Sequence, residues 1–124
     1  MLPFLLLLAQ AAAPAAPQPD WRSLGPTPNG RESYFDPASV VTTGPLTRVR
    51  VRFVESAGYV ISTVELRCGN YDGRVAGMVN YDSNGRETGR SEVATPFRAI
   101  IVGSFVEILA RQVCGAAQGP ASPQ

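Results

Sequence analysis

The chain contains no histidine and no lysine, and all 11 of its basic residues are arginine. The commonest general base, the commonest metal ligand and any Schiff-base amine are therefore missing together. Charge is scarce as well: 17% of the residues are charged, against roughly 25% in typical soluble domains. With a net charge of +1 and no polybasic or polyacidic block, nothing marks nucleic acid as a partner. Cysteine occurs twice. Two cysteines without histidine at ligand spacing do not make a zinc site, and a free catalytic thiol has no imidazole to activate it. The composition argues against an enzyme, a cofactor and a bound metal, and for a small binding or structural domain.

No apolar run reaches the roughly 17 residues that a membrane-spanning helix requires. The longest, Leu2 to Ala9, has the length of a signal h-region and leads into Ala9-Gln10-Ala11, a small-residue cleavage site. Residues 1–11 are expected to be a signal peptide, although the n-region carries no Lys or Arg. No cysteine lies near the cut, which disfavours a lipoprotein. Residues 12–19 form a Pro/Ala linker and 116–124 a Gly/Pro/Ala tail, both with the composition of disordered segments. One folded domain, 20–115, remains, thin enough that a covalent staple would help. Export implies an oxidising compartment, periplasmic or at the cell surface, so Cys68 and Cys114 are expected to form one intramolecular disulfide. Closing that loop is worth about 4 kcal/mol on the chain-entropy account.

Thr47 to Val54 alternates strictly, with Val49, Val51 and Phe53 on one face and Arg48, Arg50 and Arg52 on the other. This is the pattern of a half-buried strand. Tyr59 to Cys68 follows the loop Glu55-Ser56-Ala57-Gly58 as a hairpin partner. Setting Val54 opposite Tyr59 places Val49 across from Val64, Phe53 from Val60 and Arg48 from Glu65. Inward residues then meet inward residues, and Cys68 joins Val60, Val64 and Leu66 on the buried face. Further strands are expected at Trp21–Leu24, Glu32–Phe35, Val40–Thr42, Arg74–Tyr81 and Arg86–Val93. Pro96 makes Phe97–Val102 an edge strand or an extended connection.

From Ser104 the period changes to about 3.6, and Phe105, Val106, Ile108, Leu109 and Val113 span one face of a helix running to Cys114. Glu107 and Arg111 pair on the opposite side. Ser104 with Glu107 is a capping box, and Gly115 stands where a C′ residue ends a helix. The disulfide would clamp this helix onto the sheet.

Taken in order, Trp21, Tyr34 and Asp36 in SYFDPASV, Cys68 in ELRCGNYDGRV, Tyr81 through Gly85, and Gly103-Ser104 with Val113-Cys114-Gly115 form a recurring pattern. In these short motifs the chain resembles the surface-adhesin protein E family of Gram-negative bacteria. The resemblance implies an α+β fold, an antiparallel sheet of about six strands with one C-terminal helix packed on it. It also implies an adhesin-like module that binds a matrix protein and can form a homodimer.

The most functional-looking surface is the stripe Arg48, Arg50 and Arg52, joined across the hairpin by Arg67 and partly neutralised by Glu65. Such a face suits a sulfated or phosphorylated glycan or an acidic protein. It is equally what a solvated sheet face guarded against aggregation looks like. Asp36 is a candidate catalytic carboxylate for a hydrolase, or the cap of the Asp36-Pro37-Ala38-Ser39 turn. Asp72 and Asp82 sit in Gly turns and carry the same capping role. Tyr59, Tyr71 and Tyr81 are either exposed interface anchors or ordinary strand residues.

Overall fold

The computed structural model describes residues 19–115; the expected signal peptide, most of the linker and the tail at 116–124 lie outside the described residues. Eight strands and one helix follow one another as β1 (Arg22–Pro26), β2 (Glu32–Phe35), β3 (Val41–Thr43), β4 (Leu46–Glu55), β5 (Gly58–Arg67), β6 (Asp72–Asp82), β7 (Glu87–Ser91), β8 (Arg98–Ala99) and α1 (Phe105–Val113). Every pairing is antiparallel. The main path runs β1-β2-β4-β5-β6-β7, six strands, and the two very short strands β3 and β8 add to the edges of β4 and β6. The sheet is thus richer than a count of about six, because Pro96 leaves Arg98–Ala99 free to pair while keeping Phe97 out of the ladder.

The β4–β5 register is the one that the alternation dictates: Val49 faces Val64, Phe53 faces Val60, Arg48 faces Glu65 and Val54 faces Tyr59. The connection is tighter than expected, since Glu55 and Gly58 already pair and only Ser56 and Ala57 lie in the turn. Three irregularities were not visible in the pattern, one of them at Thr88, which the β6–β7 register skips. Between β1 and β2 the register skips Leu24, which turns into the core beside Gly25, whose φ of 87° a side chain would strain. Between β5 and β6 the skipped residue is Ala76.

The inner sheet face and α1 enclose one core: Val49, Val51, Phe53, Val64, Leu66 and Cys68 from the central hairpin, Leu24 and Phe35 from the first two strands, and Leu109, Ala110 and Cys114 from the helix. Phe53 and Phe105 meet edge to face at 5.1 Å between ring centroids. Gly73 leaves room for Leu66 across the ladder, since a Cβ there would come within 2.8 Å of Leu66 Cδ2. Cys68, just past β5, is bonded to Cys114 at the helix C-cap.

The helix face is rotated slightly from expectation. Ile108 lies at the exposed margin, while Ala110 and Glu107 are buried with Leu109. Glu107 pairs with Arg111 at 3.2 Å, but from a buried position, and its carboxylate also accepts the Gly103 amide. Ser104 Oγ accepts the Glu107 amide, so the cap is a box displaced by one residue on its return bond.

Candidate functional site

Strand parity places Arg48, Arg50, Arg52 and Arg67 on the outer sheet face, opposite the helix, together with Tyr34, Tyr59, Ile61, Thr63, Val79 and Tyr81. No helix covers this face among the described residues. The four guanidiniums share a face, yet they occupy different environments.

Arg48 donates to Glu65 Oε2 at 2.9 Å, and Arg74, from β6, donates to Oε1 of the same carboxylate at 2.8 Å. Glu65 is only 2% exposed although it belongs to the outer face, because its two arginines close over it. Burial, the largest single influence, pushes its carboxyl up. The hydrogen bonds from Arg48 and Arg74 and their positive charges together outweigh that and hold it below its ordinary 4.5. A depressed carboxylate stabilises the fold above its unfolded-state value, and that contribution disappears as the pH falls through the folded-state value. The denaturation midpoint is therefore expected to fall more steeply with acidification below about 4.5 in the wild type than in Glu65→Gln. Parallel pH profiles in the two proteins would show that the Arg48–Glu65–Arg74 cluster carries no such linkage.

Arg67 pairs with Asp72 through both ends of its guanidinium, with Nε 2.7 Å from Oδ1, and lies 4.1 Å from the centroid of the Phe97 ring. Arg74 lies 4.4 Å from the same ring centroid, so Phe97 is shared by two cations. Arg52 stacks on Tyr59 at 4.3 Å and reaches the Trp21 ring at 6.0 Å. Tyr59 in turn stacks on Tyr81 at 4.9 Å. Arg50 differs from all of these. Among the described residues its guanidinium has no hydrogen bond, ion pair or ring partner, and it is exposed beside an open trough of about 290 Å³ that also touches Ile61, Thr63, Val79 and Arg90.

The remaining sequence candidates resolve into local roles. The buried carboxylate of Asp36 accepts the amides of Ala38 at 3.0 Å and Asp20 at 3.2 Å, capping the short 3₁₀ turn Pro37–Ser39. Asp82 accepts the amides of Asn84 and Arg86, both at 2.9 Å. Asp72 is different from the expected turn cap, because its carboxylate is held by Arg67. Tyr59, Tyr71 and Tyr81 are half-buried, so none is a free-standing anchor; Tyr71 packs on the core with φ at 55°.

Sequence reasoning missed Arg74, Arg90 and Phe97. Arg90 is drawn to Glu87, whose carboxyl its hydrogen bond holds below the usual range. Counted from the turn end of the β5–β6 hairpin, where Arg67 faces Asp72, Arg74 falls opposite Glu65 before the skipped Ala76 is reached, so a β5–β6 register set from that turn brings the two together.

The arrangement defines an antiparallel α+β domain with one face sealed by a disulfide-tethered helix and the other left open. Compared with known proteins, the chain matches no family model, no curated sequence and no solved structure. Among the described residues no helix is long and apolar enough to cross a membrane.

Proposed function

We propose that this chain is an exported binding module of the bacterial cell envelope, of the surface-adhesin protein E type that its motifs resemble, and that it holds an anionic partner on the open sheet face. The observation that carries the reading is Arg50. It is a guanidinium without a partner at the rim of a trough, on a face where the neighbouring arginines are already engaged. An arginine so placed offers a planar fork to a sulfate, phosphate or carboxylate. The neighbouring ion pairs and ring stacks fix the surface around it. The signal-like residues 1–11 and the disulfide support export.

Heparin is a suitable probe for a sulfated glycan. Losing one charge-assisted hydrogen bond reduces affinity about tenfold or more, so Arg50→Gln should weaken heparin binding by that factor. Arg52→Gln, whose guanidinium is stacked between rings, should change it far less. Retention should fall with added salt, since exposed charges are screened over about 10 Å at about 0.1 M. Equal effects of the two substitutions, or binding indifferent to salt, would remove Arg50 from the centre of the site. A chain that binds neither heparin nor acidic protein is better described by the second reading, a periplasmic structural or regulatory protein. That reading is favoured by the engagement of Arg48, Arg52 and Arg67 within the fold.

A further inference from the structure

Between Glu92 and Glu107 the chain carries a single charged residue, Arg98. This segment wraps the edge of β6 and then turns into the helix. Its backbone is pinned at three places: the Thr95 amide donates to the Val75 carbonyl at 2.9 Å, Arg98 and Ala99 pair with Gly73 and Asp72, and the Ile100 amide donates to the Tyr71 carbonyl at 3.1 Å. Ser104 closes the last turn by donating from both its amide and its hydroxyl to the Ile101 carbonyl. Phe97 and Ile100 point into partners, one between two arginines and the other into the core. Val93, Ile101 and Val102 do not. They are 80%, 73% and 78% exposed, far more than any other large apolar residue of the described chain except Val41. Ile101 and Val102 stand in the turn that Ser104 closes onto the Ile101 carbonyl, so their exposure belongs to the fold, whereas Val93 lies at the Gly77 end of β6, roughly 20 Å away along the strand.

We propose that the turn at the end of this segment is a membrane-surface contact, with Ile101 and Val102 entering the interfacial layer of an anionic bilayer and Arg98 meeting a headgroup phosphate. Two considerations select a lipid surface. The two adjacent side chains stand on a turn, an area far below the roughly 800 Å² per partner of a standard protein interface. A bilayer accepts such a protrusion without a complementary pocket. Secondly, two aliphatic side chains offer less apolar area than a single acyl chain, and one acyl chain gives only marginal, reversible binding. An electrostatic contribution is then required, and Arg98 provides it: it is exposed, without a carboxylate partner among the described residues, and no acidic residue lies in sequence between it and either end of the segment. The helix N-terminus takes no part, since Glu107 already accepts the Gly103 amide there.

The test is co-sedimentation of the purified full chain with vesicles of phosphatidylcholine, with or without phosphatidylglycerol. Wild type should bind the phosphatidylglycerol vesicles and leave pure phosphatidylcholine largely unbound. The double variant Ile101→Ser, Val102→Ser should lose binding while keeping the wild-type circular dichroism, because both side chains lie outside the core. Arg98→Gln should weaken binding about fivefold, the worth of one cation at an anionic surface. Arg50→Gln should leave it unchanged, which separates this surface from the open sheet face. Undiminished binding by the serine variant would place the contact elsewhere in the chain, including the apolar residues 2–9, and overturns the proposal. So does a wild type that ignores the vesicles but doubles its mass in light scattering and reverts to monomer on the serine substitutions, which would give the patch to a second copy.

Discussion

Replacing Cys114 with alanine should lower the unfolding free energy by about 4 kcal/mol, read as a lower denaturant midpoint with an unchanged slope. The bridge joins residues separated by 46 positions and closes a loop containing β6, β7, β8 and the helix. In the unfolded chain that closure removes many conformations, and the native state keeps its geometry because both sulfurs come from fixed positions, one at the end of a central strand and one at a helix C-cap. The expected loss is large against the 5–15 kcal/mol typical of a domain. Reduction of the wild type should reproduce it. A midpoint that moves neither on substitution nor on reduction would mean that the helix is held by packing alone.

Leu109→Ala should cost about 3 kcal/mol. Leu109 is wholly buried, at the centre of the helix face that closes the core. Truncation removes its transfer free energy and leaves a cavity between helix and sheet, and buried Leu→Ala changes span roughly 2–5 kcal/mol according to how far the surroundings collapse. Collapse is restricted on both sides: the sheet is fixed by its ladders and the helix by the disulfide. The control is Ile108→Ala, one residue away at the exposed margin, which should cost well under 1 kcal/mol. Similar losses at the two positions would reverse the assignment of the buried helix face. Combined with Cys114→Ala, Leu109→Ala should depart from additivity, because both act on the same docking event.

The parts of the fold that could be read from the residues are those where a period meets a partner of the same period. Thr47 to Val54 and Tyr59 to Cys68 alternate so regularly that one register satisfies both faces, and the pairing follows it. The helix was legible for a similar reason, since Ser104 and Glu107 mark its start in chemistry rather than in hydropathy. Skipped residues were not legible. Leu24 and Ala76 interrupt their strands without any local signal, because a bulge is decided by the strand across from it. The four arginines of the outer face could be placed there by parity. Their separate states could not, because Asp72, Arg74 and Phe97 reach them through β6 and the segment beyond it. Ile101 and Val102 belong to a stretch whose residues fit an edge strand or an extended connection, and nothing in them says which of several adjacent aliphatics the backbone will turn outward.

The helix that closes the core follows every strand in the chain. Synthesis therefore delivers the sheet first and its cover last, and until Cys114 is made the face bearing Val49, Val51, Phe53 and Leu66 has nothing to lie against. The two hairpins β4–β5 and β5–β6 join near neighbours and can form early, whereas docking of α1 against β1 must bring together the two ends of the domain. Any chain in which the sheet forms before the helix docks exposes that apolar surface and is the kind of species that aggregates or recruits a chaperone. Joining Cys68 to Cys114 ends that exposure; both thiols lose their protons and give up one electron each to an external oxidant such as a disulfide carrier, so the rate of that exchange sets how long the chain remains vulnerable.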